Sequence, residues 1–501
     1  TFSDSDTTLT LTSAAAFPSS GTILIGTELI TYSGKSSNDL TGLTRGTNGT
    51  TAAAHSNGAT VTNASDYSGW GIAIPADQAT LEPGLWSLDN FGEVLVATIA
   101  NGETFTWNAG ATSPTSTRAS KSTSGFATGN NPTASRLTLI SPTTRHLIHF
   151  GTETTIGTAS TQDDMFIRFS VQEDINTFTP TSTNTAGTLR LQDGTKIVGA
   201  LKAKESILVF TDNALYTMKY IGSPFYFGVE QVGTNCGLVG KNAAVEVDGI
   251  AYWMSSKGFL YYDGTVKTLP CAVEDEVFDN FDTTKGQQVA AGLNNLFSEI
   301  SWWYPANSDF NNKAVSYNYA ESAPIPGGVW ALSTEARTSW MDAKIYERPY
   351  ATKFDTTGTG SFPTILGESG LGQTKYFQHE IGTDQVNEDG TVTTIASNIK
   401  SYDYDLQDQG GGGNKFVSVS RFIPDFKNLD GNANVTLSIK RFPSQTETSS
   451  TNSPFTITSS TTKKDTRARG RYVSVKIENT EINESWRYGT LMLDVKPDGG
   501  R

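Results

Sequence analysis

A strand–turn–strand unit whose second strand is rich in aromatic residues recurs along the middle of this sequence. The clearest copies are EVLVATIANGETFTW at 93–107, ILVFTDNALYTMKY at 207–220 and IAYWMSSKGFLYY at 250–262. A looser copy joins 300–304 to 314–319 through a longer loop. The spacing of these units is irregular, about 40 to 50 residues where it is clearest, and a β-propeller blade of four short strands has this size. The repeat therefore predicts an all-β protein with a propeller-like central body.

The two ends of the chain show other β patterns and predict separate domains. The first 65 or so residues contain short Thr- and Ile-rich strands around Gly-Thr turns. The last hundred contain FVSVSRF, VTLSIK and YVSVKI, in which apolar and polar residues alternate. A sheet with one buried and one solvated face requires this alternation. We predict a small β module over 1–67, the propeller-like body over 68–395, and a β-sandwich-like domain over 396–501.

Three segments depart from the strand pattern. Residues 108–136 and 445–462 are rich in Ser, Thr and other small polar residues, which predicts two surface loops. In the segment 272–281, apolar residues recur at helical spacing between acidic ones, which predicts one or two turns of helix.

Composition limits the classes of function. The chain has 37 Lys and Arg residues and 51 Asp and Glu residues, so its net charge is −14. This charge argues against a protein whose whole surface binds nucleic acid, because phosphate binding requires an excess of Lys and Arg. No run approaches the roughly 18 apolar residues of a membrane helix, and no export signal is visible at the start. Two cysteines, Cys236 and Cys271, are too few for a disulfide scaffold, and we expect buried free thiols.

The sequence predicts neither an enzyme nor a cofactor or metal site. It contains no nucleophile elbow, HExxH, phosphate-binding loop or CxxC motif. His146 and His149 lie three residues apart on a predicted strand, so they face opposite sides and make a poor metal pair. The acidic residues Asp403, Asp405 and Asp408 lack the Gly and the distal Glu of a calcium loop, so solvated acids are expected there.

A glycan-binding or glycan-cleaving propeller adhesin is the alternative function. Ser170–Phe178 faintly resembles the Asp-box turn of sialidases, but it occurs once and lacks the Gly and Trp of that box. We therefore predict a hairpin turn in this segment. His55 stands alone beside a turn, where a solvated or capping role is expected.

The densest run of basic residues is the candidate contact site for a neighbouring subunit or DNA. It consists of Lys463, Lys464, Arg467, Arg469 and Arg471. Such a run can contact DNA phosphates or an acidic surface, and a solvated strand end is the other interpretation.

Three stretches of the chain contain motifs that match a known family. The central stretch, 167–264, contains IRFS, NTAG, LQDGT, FTD and GFLYYDG in order. The ending, 467–501, contains RARGR, WRYG and DVKPDGGR, and the first 65 residues contain TRGTNGTTAAAH. With these motifs the chain resembles the tail nozzle or hub proteins of short-tailed bacteriophages, also called the packaged-DNA stabilisation or tail tubular proteins. The first 65 residues resemble a small β module attached to various phage tail proteins.

The resemblance implies a structural virion protein without enzymatic activity. Family members form a homo-oligomeric ring, expected to be a hexamer, which continues the DNA channel and helps to retain packaged DNA until ejection. The partners implied are copies of the chain, other tail proteins such as the adaptor, fibres or needle, and DNA that passes without sequence readout. The implied location is the phage tail, assembled in the cytoplasm of the bacterial host.

Overall fold

The protein consists almost entirely of antiparallel β-sheets. The computed structural model describes residues 2–14, 17, 19–47, 50–63, 85–110, 119–121, 131–322, 325–355, 373–387, 390–405 and 415–499. These residues form forty strands, one five-residue α-helix (α1, Glu274–Phe278), and two 3-10 segments, Ala159–Thr161 and Thr283–Gln288. This composition confirms the predicted all-β class, and α1 confirms the short helix predicted within 272–281.

The N-terminal module is a single five-stranded sheet with the order β1-β4-β3-β2-β5. Its strands are β1 (Thr8–Thr10), β2 (Gly21–Ile25), β3 (Glu28–Ser36), β4 (Asp39–Thr44) and β5 (Val61–Asn63). Along β3, Glu28, Ile30 and Tyr32 are buried while the residues between them are partly exposed. The side chains of one face therefore form the core of the module.

In the described part of the central body there are six consecutive antiparallel sheets, called sheets 1 to 6 in chain order. Sheets 1 to 5 have four strands each, and sheet 6 has three among the described residues. The strands of sheets 1 to 3 are β6 (Trp86–Phe91), β7 (Val94–Ile99), β8 (Thr104–Asn108), β9 (Ser120–Lys121), β10 (Ser135–Ile140), β11 (Leu147–Thr152), β12 (Phe166–Phe169), β13 (Gly187–Arg190), β14 (Ile197–Lys202), β15 (Ile207–Thr211), β16 (Ala214–Gly222) and β17 (Tyr226–Thr234). Those of sheets 4 to 6 are β18 (Ala244–Val247), β19 (Ile250–Met254), β20 (Phe259–Tyr262), β21 (Val266–Leu269), β22 (Ala290–Asn294), β23 (Glu299–Tyr304), β24 (Lys313–Asn318), β25 (Trp330–Ser333), β26 (Ser339–Met341), β27 (Tyr350–Asp355) and β28 (Gln373–Gln378).

The first strands of successive sheets lie side by side, which gives the body its propeller-like arrangement. β6, β10, β14, β18, β22 and β26 contact one another in this order.

Two lysines from later parts of the body bind residues of sheet 1. Lys202, at the end of β14, pairs with Asp89 of β6 at 2.7 Å, and Lys241, just before β18, donates to the Trp86 carbonyl and to Ser87 Oγ, both at 2.7 Å. These bonds link sheet 1 to sheet 3 and to the segment that leads into sheet 4.

Large aromatic side chains fill the space between sheets 3, 4 and 5. Phe210, Trp253 and Trp302 are buried in one core, because neighbouring sheets cover both faces of the middle strands. The Trp253 indole donates to the Cys236 carbonyl, and that of Trp302 to the Ala243 carbonyl, both at 3.0 Å. These hydrogen bonds offset the cost of burying the indole N–H groups.

The chain divides into two compact units, Thr1–His379 and Glu380–Arg501. This division falls ahead of the domain boundary predicted after residue 395. The strands of the C-terminal unit are β29 (Asp384–Val386), β30 (Val392–Thr394), β31 (Ser397–Lys400), β32 (Val417–Ile423), β33 (Phe426–Asp430), β34 (Asn432–Lys440), β35 (Thr448–Ser449), β36 (Phe455–Thr458), β37 (Lys464–Gly470), β38 (Tyr472–Asn479), β39 (Ser485–Tyr488) and β40 (Met492–Pro497).

Two sheets of the C-terminal unit enclose one apolar core, as a β-sandwich requires. One sheet has the order β31-β38-β34-β35, with β36 also paired to β34, and the other has the order β37-β32-β40. Val419 and Phe422 of the second sheet pack with Leu437 and Val475 of the first. This arrangement confirms the predicted sandwich-like fold.

The structure corrects one predicted loop and part of another. Residues 445–462 contain β35 and β36, and Phe455 and Ile457 of β36 are buried in the sandwich core. Within the other predicted loop, 108–136, residues 119–121 include β9 and Ser135 begins β10, while 111–118 and 122–130 lie outside the described residues. Thr is β-branched and suits a strand, so Ser/Thr richness alone is a poor indicator of a loop.

Candidate functional site

The predicted basic run forms an edge strand of the C-terminal sandwich. β37 pairs on one side with β32, in the register Ser418↔Arg469 and Val419↔Ala468, and it ends the sheet order β37-β32-β40. Thr466, Ala468 and Gly470 face the core, whereas Arg467 and Arg469 point to solvent. The period-two alternation of a strand therefore places the arginines together on the outer face.

Two of the five basic residues are held by contacts within the chain. Arg469 Nε pairs with Asp498 Oδ2 at 2.6 Å, and its guanidinium lies 4.3 Å from the centre of the Phe416 ring. The Arg471 guanidinium lies 5.5 Å from the Phe416 ring centre and 5.7 Å from that of Phe442. Both arginines thus have structural roles as cations over aromatic rings.

The other three basic residues of the run are exposed. Lys463 lies near Asp465, whose carboxylate accepts a 3.0 Å hydrogen bond from Arg421. The pKa of Asp465 is lowered first by that hydrogen bond and the charge of Arg421, and also by Lys463. Within the described part of the chain, Lys464 and Arg467 have neither an ion pair nor a side-chain hydrogen bond. These two cations are therefore available to an anionic partner.

Edge strands often carry charged residues for another reason. A row of unpaired backbone groups invites pairing with other chains, and Lys or Arg side chains on an edge oppose it. Lys464 and Arg467 can serve this protective role, a selective contact, or both.

The two neighbouring histidines are buried in different surroundings. His146 packs edge-on against Phe227 at 5.1 Å, whereas His149 packs edge-on against Phe178 at 4.9 Å. Burial lowers the pKa of His146 to about 4, and burial together with the charge of Arg168 lowers the pKa of His149 to about 3. Both imidazoles are therefore neutral core groups at pH 7.

Charged side chains elsewhere pair locally. Asp403 binds Lys440 at 2.9 Å, and Asp408 lies outside the described residues. Among the described residues no group of three or more His, Cys, Asp and Glu side chains is placed to hold a metal ion. Ser170–Phe178 begins the connection from β12 to β13 and turns back through a 2.9 Å hydrogen bond from the Val171 amide to the Thr177 carbonyl, but it contains no strand, so it is not the hairpin turn that was predicted.

A buried ionic cluster in the N-terminal module was not predicted. Glu28 is fully buried and accepts hydrogen bonds from Arg45 and from His55 Nε2, the latter at 2.7 Å. His55 is thus a hydrogen-bond partner of Glu28 with a largely buried side chain, and the solvated or capping role expected for it is wrong. Glu28 shares its side of β3 with Ile30 and Tyr32, and an acid at an inward-facing position was the signal available in the sequence.

Comparisons with known proteins give no family for this chain. No known family model matches it, and no curated protein matches it. Among solved structures, it is similar to the computationally designed Ika8 protein (TM-score 0.31, 9% identity, covering 68% of this chain and 95% of that chain). It is also similar to BamB from Moraxella catarrhalis (TM-score 0.28, 14% identity, covering 70% of this chain and 94% of that chain). A third similar structure is Sqt1 from Saccharomyces cerevisiae (TM-score 0.30, 9% identity, covering 54% of this chain and 79% of that chain).

No α-helix in the described part of the chain has the length and apolar character needed to span a bilayer.

Proposed function

We propose that this protein is a structural component of the tail of a short-tailed bacteriophage. In this proposal the chain assembles into a ring that continues the DNA channel, helps to retain packaged DNA and lets it pass on ejection. The ring contains about six copies in this proposal, as the family resemblance implies, and it requires a head-to-tail contact whose fixed rotation closes the ring. The protein acts in the virion after assembly in the bacterial cytoplasm, and it is not an enzyme.

The observation that supports the proposal best is the exposed basic edge of β37 on a strongly acidic protein. The unit Thr1–His379 carries 22 Lys and Arg against 35 Asp and Glu, a net charge of −13. The unit Glu380–Arg501 carries 15 against 16, a net charge of −1. The free cations Lys464 and Arg467 therefore find their natural partner in the acidic body of a neighbouring copy.

Acidic character also suits a conduit for DNA. Phosphate binding requires excess Lys and Arg, and an acidic wall repels the DNA backbone and keeps it from adhering. Passage without sequence readout follows from this repulsion. The adaptor, the fibres and the needle are the further tail proteins that the proposed ring would contact.

The solution mass of the purified full-length chain tests the proposal. A closed assembly of about six copies by native mass spectrometry or light scattering supports it. A monomer at micromolar concentration and physiological salt contradicts it. Electron microscopy of the assembled tail would then place the ring relative to the channel.

One observation favours the alternative function, glycan binding. Tyr350 and Tyr376 of sheet 6 stack with their ring centres 5.2 Å apart and an angle of 14° between planes, and Tyr376 is 66% exposed. Exposed aromatic faces can pack against sugar rings as apolar surfaces. Binding of host surface polysaccharide by a stable monomer, lost in Tyr376→Ala, would favour this alternative.

A further inference from the structure

An asparagine that is followed by glycine can lose its side-chain amide without an enzyme. The backbone nitrogen of the glycine attacks the side-chain carbon of the asparagine, and glycine has no Cβ to hinder this approach. The sequence contains three such pairs, at 48–49, 57–58 and 101–102, and the first lies outside the described residues. The other two pairs are both in turns, and their hydrogen bonds decide which of them can react.

The pair Asn57-Gly58 is free to react. Both residues are exposed and form the tip of a turn, which a 3.2 Å hydrogen bond from the Ala59 amide to the Ser56 carbonyl closes. Among the described residues, neither the Asn57 side-chain amide nor the Gly58 N–H has a hydrogen-bond partner. A Cβ placed on Gly58 would meet no heavy atom within 4 Å. The two reacting groups can therefore approach each other without breaking a contact.

The pair Asn101-Gly102 is held in place. The Asn101 side-chain oxygen accepts a hydrogen bond from Gln162 at 3.1 Å, and its backbone N–H donates to the Ser135 carbonyl at 2.8 Å. The nitrogen that would attack belongs to Gly102, and its N–H donates to the Ile99 carbonyl at 2.9 Å. These bonds must break before the reaction can begin, which adds to its barrier. Because Asn101 is exposed, as Asn57 is, exposure alone does not distinguish the two pairs.

We propose that Asn57 is a site of spontaneous deamidation, which converts it to aspartate and isoaspartate while Asn101 stays intact. Hydroxide removes the proton of the Gly58 N–H, and the nitrogen then forms a bond to Asn57 Cγ. The bond between Cγ and Nδ2 breaks, and the departing nitrogen takes up a proton from water and leaves as ammonia. One water molecule then opens the five-membered succinimide at either of its carbonyl carbons. The reaction consumes this water and needs no oxidant, reductant or metal.

Deamidation changes the charge of the N-terminal module but leaves its sheet in place. A carboxylate replaces a neutral amide, so the net charge of the chain becomes more negative by one unit. Isoaspartate also adds one methylene to the main chain between His55 and β5. His55 is held by backbone hydrogen bonds with Phe2 at 2.8 and 2.9 Å, and β5 is paired with β2. The exposed residues 56–60 therefore absorb the extra atom.

Incubation of the full-length chain at pH 8, followed by peptide mapping, tests the proposal. Chymotrypsin separates Asn57 from Asn101, and tandem mass spectrometry locates the mass gain of one dalton within each peptide. We expect the native chain to deamidate at least tenfold faster at Asn57 than at Asn101. A tenfold ratio corresponds to about 1.4 kcal/mol of activation free energy, and hydrogen bonds such as those of Asn101-Gly102 are of this order.

The same chain in guanidinium chloride is the matched control. Both pairs have the same two residues, so unfolding should bring their rates close together by accelerating the reaction at Asn101. Asn57→Gln should abolish the mass gain at this position, because closure of a six-membered ring is much slower. Equal rates at the two positions in the native chain overturn the inference.

Two further readouts test the chemistry at Asn57. The rate should rise with pH, since hydroxide removes the proton of the attacking nitrogen, and a rate independent of pH overturns the inference. The product should contain isoaspartate as well as aspartate, because water can open the succinimide at either carbon. Aspartate alone would show direct hydrolysis of the side chain, and it overturns the inference too.

Discussion

Arg45 binds the fully buried carboxylate of Glu28 with two parallel hydrogen bonds, Nε to Oε1 at 2.8 Å and Nη2 to Oε2 at 2.7 Å. His55 adds a third side-chain bond, and the amides of Gly46 and Ala53 donate at 3.0 and 3.2 Å. Glu28 thus holds the segment from Arg45 to His55 against β3. The carboxylate is the organising group of the N-terminal module.

Acid should unfold the N-terminal module first. Burial opposes ionisation of Glu28, but the hydrogen bonds from Arg45, His55 and the backbone outweigh it and lower the pKa to about 2 from 4.5. Because the folded-state pKa is depressed, the stabilisation is complete above about pH 4.5 and is lost as the pH falls towards 2. It amounts to roughly 3 kcal/mol. Hydrogen exchange of peptides from 19–47, measured from pH 6 to 2.5, should show this loss, and unchanged protection would contradict it.

Replacing Arg45 should destabilise the N-terminal module more than acidification does. Arg45→Met leaves a buried carboxylate without its main partner, which costs roughly 3–5 kcal/mol. Glu28→Gln combined with Arg45→Met should recover part of the loss, because no charge then remains buried. Hydrogen exchange of the same peptides measures both variants. Equal destabilisation of the single and the double variant would argue against the charge as the cause.

The repeat seen in the sequence corresponds to the middle strands of the body sheets. The four copies are β7–β8, β15–β16, β19–β20 and β23–β24, the second and third strands of sheets 1, 3, 4 and 5. Middle strands are covered on both faces, so they are apolar and conspicuous. Sheet 2 has no visible copy, because a loop over 153–165 separates β11 from β12. Outer strands such as β9 are too short and polar to be predicted.

The exposed position of the basic run could be predicted from the sequence, but the contacts of its arginines could not. A cluster of cations within nine residues is visible in any sequence, and its exposed placement on β37 follows from strand alternation. The sequence does not show that Arg469 and Arg471 have partners within the described part of the chain, whereas Lys464 and Arg467 do not. This difference depends on Phe416 and Asp498, which sheet pairing brings beside Arg469 from distant parts of the unit. The Glu28 cluster escaped prediction because its members come from separate strands and turns.

A methyl group on Gly292 should disrupt the contact between sheets 5 and 6. It would lie 2.5 Å from Cδ1 and Cγ of the Trp340 ring. That ring cannot easily move, because it stacks on Trp303 at 5.2 Å and donates to the Leu293 carbonyl at 2.8 Å. We expect Gly292→Ala to lower the free energy of unfolding by about 1–3 kcal/mol in denaturant titration.

Gly258→Ala is the matched control for this substitution. A methyl group there would meet only the end of the flexible Glu274 side chain, at 3.3 Å. Its effect should stay within about 0.5 kcal/mol. Equal effects of the two substitutions would contradict the packing argument.

Both thiols should be inert in the folded protein. Burial raises the pKa of Cys236, and it raises the pKa of Cys271 to about 11. The thiolate is the reactive form, so alkylation of Cys271 at pH 8 should be roughly a hundredfold slower than for a free cysteine. Intact-mass measurement after iodoacetamide treatment tests this, with the protein in denaturant as the control. Rapid double labelling of the native chain, or a disulfide between the two, would refute the prediction.

Four of the five cations of the basic run should separate into two groups with different effects. Lys464→Ser with Arg467→Ser removes the two unpartnered cations, so it should weaken assembly or DNA retention and leave the melting temperature unchanged. Arg469→Ser with Arg471→Ser removes the Asp498 ion pair and the contacts with Phe416. Because exposed ion pairs and cation–π contacts are each worth about 1 kcal/mol or less, this pair should mainly lower the stability of the C-terminal unit.

Replacing all five residues, with Lys463→Ser included, should combine both losses while the monomer remains folded. Lys496→Ser, on the opposite edge strand β40 of the same sheet, is the control for a general loss of positive charge. Native mass spectrometry at increasing salt measures assembly, and differential scanning calorimetry measures stability. An electrostatic contact weakens as salt rises, since the Debye length falls from about 10 Å at 0.1 M to 3 Å at 1 M. If the Lys464 and Arg467 variant still built DNA-filled particles with normal tails, these cations would only protect the strand edge, although the ring itself could survive.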